Sequence, residues 1–211
     1  DKINLLKAGI LYADFVNTVS ATYALEVQTR DLGCGLEGVV ASRKDRFVGI
    51  TNGVDYRLWN PQSDSFIFRN YSAGNLEAKA VNRSALEEAC HLVKSERHPL
   101  LGFVGRLVEQ KGIDLIIKAL PRLCELGYRS VILGTGDPRY ETALVDLTKK
   151  YPGLVYFSSN FDDHLAHQIY AGADMFLMPS QFEPCGIGQL ISFKYGTVPV
   201  VFKTGGLADV V

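Results

Sequence analysis

The 211-residue chain carries 22 Lys and Arg against 23 Asp and Glu, a formal net charge of −1, and 47% of it is hydrophobic. Its basic residues are scattered rather than gathered into a stripe, so nothing in the charge points to nucleic acid or an anionic membrane surface. No apolar run approaches the length, about 20 residues, that spans a bilayer. Cys34, Cys90, Cys124 and Cys185 form no CxxC pair, which suits reduced thiols in a cytosol-like compartment.

The opening residues, Asp1 to Lys7, show no capping signal and read as the middle of an element. Residues 14–19 predict a short buried strand, and Ser20 the N-cap of a helix reaching about Thr29. Residues 31–35 form a loop, 36–42 one or two helical turns, and 46–51 a second strand. Turn-rich stretches at 59–64 and 71–75 precede a helix over about 76–94, with Leu86, Ala89, Cys90 and Val93 on one face.

From Leu100 the pattern becomes regular. Strands are predicted at 100–104, 130–133, 154–157, 175–178 and 198–202. Helices follow at 113–126, 139–151 and 162–171, then near Gly186 and after Gly206. Apolar residues in the first of these, Ile113, Ile116, Ile117, Leu120 and Leu123, recur at helical spacing. Alternation of apolar strands with amphipathic helices predicts an α/β fold with a Rossmann-like parallel sheet covered on both faces. The expected organisation is the trailing part of one domain and a hinge over 1–55, a connecting segment with a helix over 56–98, and a Rossmann-like domain over 99–211. Both ends look cut, and the chain reads as a fragment.

Three features sit where a strand hands over to a helix: Gly105-Arg106 with Lys111-Gly112, Glu183-Pro184-Cys185-Gly186, and Thr204-Gly205-Gly206. Such handovers align along one crevice at the carboxyl ends of a parallel sheet. Arg106 and Lys111 beside a helix start suit a diphosphate, since both are cations at neutral pH and Arg can fork two hydrogen bonds onto phosphate. With no Asp-x-Asp pair to hold a divalent ion, side-chain cations are the expected stabilisers of a leaving diphosphate. Glu183 is expected to point into the crevice, with the amides of Cys185, Gly186 and Ile187 near sugar hydroxyls. The bland alternative is a carboxylate that merely complements a helix dipole. Gly205 and Gly206 suggest close approach of backbone to something bulky or anionic.

Other features carry less. Gly134-Thr135-Gly136 lacks the third glycine of a dinucleotide fingerprint, because that position is Arg139. His164 and His167 are expected to be solvated or capping rather than metal ligands. Cys185 is expected to pack, and no metal site or cofactor is expected. Phe161 can stack on a base, although an aromatic residue ending a strand is more often core.

Several motifs in one order resemble the bacterial glycogen synthases and plant-type starch synthases, retaining glycosyltransferases of the two-domain GT-B fold. They are Lys7-Ala8-Gly9-Ile10 with Thr18-Val19-Ser20, Ile50-Thr51-Asn52-Gly53-Val54-Asp55 with Trp59-Asn60-Pro61, and Gly105-Arg106-Leu107 with Gln110-Lys111-Gly112. Met178-Pro179-Ser180, Phe182-Glu183-Pro184-Cys185-Gly186, Tyr195-Gly196-Thr197-Val198-Pro199 and Thr204-Gly205-Gly206-Leu207 complete the set. The resemblance implies metal-independent transfer of glucose from ADP-glucose to the non-reducing end of an α-1,4-glucan, glycogen or starch. It implies that Arg106 and Lys111 hold the diphosphate and that Glu183 contacts the glucosyl unit. Asn52, Gly105, Cys185, Gly186 and Ile187 would line the donor site, Phe161 would neighbour adenine, and Thr204, Gly205 and Gly206 would hold phosphate. Related transferases often carry a second Glu eight positions after the first; here Ile191 stands there, which narrows the match to the synthase branch. The family's N-terminal donor motif and acceptor residues lie outside the chain, so the fragment alone is expected to be inactive. The implied compartment is the bacterial cytoplasm, with plastid stroma as the alternative. Competing readings are another GT-B nucleotide-sugar transferase and a non-catalytic nucleotide-sugar-binding module.

Overall fold

The structure, a computed structural model, describes residues 3–211. The expected mid-element start falls partly on Asp1 and Lys2, outside the described residues. From Asn4 onward it does not hold, because the Asn4 side chain accepts the Lys7 N–H at 3.0 Å and caps helix α1 (Leu5–Tyr12).

The chain separates into two compact units. The smaller comprises residues up to Gly53 together with Phe182–Ile187 and Lys203–Val211. The larger comprises Val54–Gln181 and Gly188–Phe202. In the smaller unit, strand β1 (Val16–Thr18), helices α2 (Ala21–Glu26) and α3 (Glu37–Ala41) and strand β2 (Phe47–Gly49) follow in order. The two strands pair in parallel, Val16 opposite Phe47 and Thr18 opposite Gly49. β1 was expected to be buried, yet Phe15 and Asn17 are exposed, as befits a strand whose faces alternate. Ser20 caps α2 as expected, accepting the Tyr23 N–H at 3.0 Å.

The larger unit begins with an irregular stretch and then helix α4 (Glu77–Ala89), which packs on a later helix of the same unit. The sequence had carried this helix to about Lys94, but it stops five residues earlier at a left-handed turn. His91 has φ 53°, its N–H returns to Glu88 O, and Leu92 N–H returns to Glu87 O at 2.7 Å. That pattern is a Schellman cap built on a non-glycine residue. The buried face therefore runs through Ala78, Asn82, Leu86 and Glu87, whereas Ala89 and Val93 are exposed.

Strand β3 (Leu100–Val104), helix α5 (Ile113–Glu125), strand β4 (Arg129–Leu133), helix α6 (Pro138–Lys150), strand β5 (Val155–Ser158) and helix α7 (Asp163–Gly172) follow. Strand β6 (Met175–Met178), helix α8 (Gly188–Lys194) and strand β7 (Val198–Val201) complete the larger unit. All five strands are parallel, in the order β5-β4-β3-β6-β7. The order reverses between β3 and β6, which is where sheets of this kind open a crevice at their carboxyl ends. Phe103, Leu107, Ile113, Ile116, Leu120, Ile132, Leu144 and Val155 form one core cluster. Each such side chain contributes about 1.5–3 kcal/mol when fully buried. One expectation fails at the edge: Val198 and Val200 on β7 are exposed while Pro199 is buried, so both faces are not covered there.

Helix α9 (Gly205–Val210), expected to extend the Rossmann-like series, belongs to the smaller unit and packs on α2. Asp209 accepts from Thr22 N–H and, at 2.6 Å, from Thr22 Oγ1.

Candidate functional site

In the larger unit the loops leaving β3 and β4 lie side by side. Gly105 N–H donates to Leu133 O at 3.0 Å, Leu107 N–H to Thr135 O at 2.9 Å, and Asp137 N–H to Leu107 O at 2.8 Å. This contact explains the glycines that had tempted a dinucleotide reading. A Cβ at Gly134 would lie 2.1 Å from Gly105 O, and one at Gly136 would lie 2.3 Å from Leu107 O. Both positions are bare because one loop presses on the other. Thr135 Oγ1 and Gly136 N–H donate to Glu141 Oε1 at 3.1 and 2.9 Å, so an internal carboxylate already uses those donors.

Between these loops and the start of α7 opens a cleft of about 330 Å³. Its lining includes Gly105 and Arg106 after β3, Gly134 and Thr135 after β4, and Asn160, Phe161, Asp162 and Asp163 after β5. Leu107 is wholly buried and anchors the loop, while Arg106 beside it is exposed. Asp162 caps α7 by accepting Leu165 N–H at 3.0 Å. Phe161 corrects the core reading: it lies beyond the end of β5, is 87% exposed and lines the cleft.

Lys111 ends a 3-10 turn (Glu109–Lys111), and Gly112 immediately caps α5, so this cation does adjoin a helix start. Lys111 is not among the residues lining the cleft. His167 overturns its expected solvated role, being 3% exposed with Nδ1 2.7 Å from Asp64 Oδ2. His164 is exposed, as expected.

The remaining candidates lie in the smaller unit. Glu183 and Cys185 are buried, and Ile187 is exposed. Asn52 is exposed, and its N–H donates to the Sγ of buried Cys185 at 3.4 Å. The glycine pair has a packing cause. A Cβ at Gly205 would meet Glu183 O at 2.0 Å, and one at Gly206 would meet Cys185 Cα at 2.4 Å. Gly206 N–H donates to Glu183 O at 3.0 Å. What the glycines approach is the backbone of the Glu183 segment, where the sequence had suggested a bulky or anionic group. Glu26 Oε1 accepts from Gly205 N–H at 3.0 Å and from Thr204 Oγ1 at 3.3 Å.

Sequence reasoning missed Trp59 and Tyr170 as cleft residues. For Trp59 one signal was available: it is the chain's single tryptophan, set in a turn-rich stretch where a large ring has no core strand or helix to serve.

A family model described as glycosyl transferases group 1 matches residues 87–211, and one described as starch synthase catalytic domain matches residues 1–42. The chain is 48% identical over 211 residues to glycogen synthase 2 of Nitrosococcus oceani, covering 100% of this chain and 43% of that protein. It is 50% identical over 211 residues to a glycogen synthase of Clostridium novyi, covering 100% of this chain and 44% of that one. Among solved structures, the catalytic domain of starch synthase IV from Arabidopsis thaliana, bound to ADP and acarbose, superposes with a TM-score of 0.94 at 40% identity. That match covers 99% of this chain and 43% of the other. The chain thus spans less than half the length of the relatives it matches. With a parallel α/β sheet, a cleft at its carboxyl ends and relatives of this kind, the chain belongs to the group 1 glycosyl transferases, on the branch of the glycogen and starch synthases.

Proposed function

We propose that the chain is the donor-binding part of an α-1,4-glucan synthase that moves glucose from ADP-glucose to the non-reducing end of glycogen or starch with retention. The observation carrying this reading is the cleft itself, where Gly105, Arg106 and Phe161 line one space of about 330 Å³ at the carboxyl ends of β3 and β4. The aromatic ring offers a face to a base, and the guanidinium suits the diphosphate that follows it. That the starch synthase relative was solved with ADP favours ADP over other nucleotides.

In this reading Arg106 and Lys111 neutralise charge as the nucleoside diphosphate departs. Glu183 stabilises the developing positive charge on the glucosyl unit. Asn52, Cys185, Gly186 and Ile187 line the donor site, and Thr204, Gly205 and Gly206 hold phosphate, which requires Glu26 to yield Thr204 Oγ1 and Gly205 N–H, and Glu183 O to yield Gly206 N–H. We assign the enzyme to the bacterial cytoplasm, in keeping with its bacterial relatives. Among the described residues no helix is long and apolar enough to cross a membrane.

The test is a chimera in which residues 1–211 replace the matching stretch of the Nitrosococcus oceani relative, assayed for transfer of labelled glucose from ADP-glucose to glycogen. The chimera is expected to label glycogen and the chain alone is not. Arg106→Ala, Lys111→Ala and Glu183→Gln should each lower kcat by about 10²–10³. Arg106 is exposed, so its replacement should leave the unfolding midpoint nearly unchanged. Preference for UDP-glucose would point to another nucleotide-sugar transferase, and donor binding without turnover to a binding module.

A further inference from the structure

Trp59 lines the cleft but sits on a stretch, residues 54–71, that contains neither helix nor strand. Something else must fix it. Its ring stacks on His167, with centroids 3.9 Å apart and planes 11° from parallel, and meets the edges of Tyr170 and Tyr195 at 5.4 and 6.3 Å. His167 is in turn held by Asp64, whose Oδ2 lies 2.7 Å from its Nδ1 and also accepts the Tyr195 hydroxyl at 2.5 Å. Asp64 Oδ1 accepts Phe66 N–H at 2.9 Å, and Tyr71 donates its hydroxyl to Tyr195 O at 2.7 Å. One buried carboxylate, 6% exposed, thereby ties the irregular stretch to α7 and to the turn after α8.

Burying an aspartate is costly even with two side-chain donors to offset it, and packed apolar groups often serve stability as well. Here both donors, His167 and Tyr195, come from rings that touch Trp59, which with Tyr170 reaches the cleft. We infer that Trp59 is a wall of the nucleotide cleft that bound ligand meets, and that Asp64, His167 and Tyr195 are positioning residues that hold its ring there. This rests on the nucleotide reading of the cleft given above.

Because the 211-residue chain has no other tryptophan, Trp59 reports on itself in it. The full 211-residue chain would be titrated with ADP and, separately, with inorganic pyrophosphate, following tryptophan emission alongside equilibrium dialysis. ADP should change the emission saturably and pyrophosphate should not, since the ring meets the nucleoside end. Trp59→Leu should weaken ADP binding by about 5–100-fold, the range of a lost base–aromatic stack. Asp64→Asn, and Tyr195→Phe as the milder variant should the first fail to fold, should weaken ADP binding several-fold. Each should also shift the emission of the free protein while urea unfolding stays cooperative. A folded Asp64→Asn or Tyr195→Phe that binds ADP like the parent overturns the positioning role. ADP binding in dialysis with unchanged emission, and unchanged affinity in Trp59→Leu, overturns the Trp59 assignment while leaving the nucleotide reading intact. No ADP binding by the parent chain removes both.

Discussion

Lys79 shows what one residue does at the end of an element. Its half-buried ammonium donates to Ala171 O at 2.8 Å, to Tyr170 O at 3.4 Å and to Thr197 Oγ1 at 2.8 Å, closing the last turn of α7. Burial pulls its pKa down to about 8, with Asp174 opposing the shift. Below pH 8 the folded and unfolded chains both carry the proton. Between pH 8 and about 10.5 the folded state releases it first, so this site makes stability rise with pH across that window. The gain is at most about 3 kcal/mol. Urea unfolding at pH 7.5 and 9.5 should show the parent gaining on Lys79→Met, and a difference that stays flat with pH would refute the shift. At this scale the sequence is informative where position alone decides. Arg106 follows a strand end, so its presence at the cleft could be expected from the alternation of elements, whereas the same kind of position left Phe161 open between core and base contact. His167 could not be read, because the carboxylate that buries it lies 103 residues earlier.

Elements were legible where a repeating pattern encodes them. The five strands of the larger unit are apolar runs, and α5 shows its buried face at helical spacing, so their places followed from periodicity. The end of α4 did not, because the left-handed residue that stops it is His91, where glycine would have been the usual signal. Nor did periodicity foretell the charges beneath α4. Glu87, 3% exposed, pairs with Arg129, 0% exposed, at 2.5 Å, and burial lowers the pKa of that guanidinium. Arg129 also donates to Val93 O, Ser95 O and His98 O, and Arg83 to Ser95 O and His98 O, so the two arginines hold the loop from α4 to β3. Removing the carboxylate leaves a buried cation without its partner. Glu87→Ala should cost about 3–5 kcal/mol in urea unfolding. The exposed pair Arg57 with Asp55 offers the contrast, and Arg57→Ala should leave the midpoint where it was.

Across the whole molecule, chain order and packing diverge. The sequence places residues 203–211 in the Rossmann-like series because they follow its last strand, and periodicity has no means of showing that α9 packs on α2. The smaller unit is therefore assembled from the beginning of the chain and two short later stretches. Its closure depends on Asp209 accepting from Thr22, on Glu26 accepting from Thr204 and Gly205, and on buried Leu207. α9 has only six residues, too few for a helix to persist without packing. Its partner α2 is equally short and buries only Ala24, so each helix depends on the other. Ending the chain at Phe202 should then raise amide exchange across residues 16–49 by well over tenfold. β3, β4 and β6 sit inside the five-stranded sheet and should keep their protection. Exchange measured by mass spectrometry decides the matter: a uniform rise in all strands would mean that the chain opens as one cooperative body, whereas loss confined to the first 49 residues would establish that α9 stabilises the smaller unit locally.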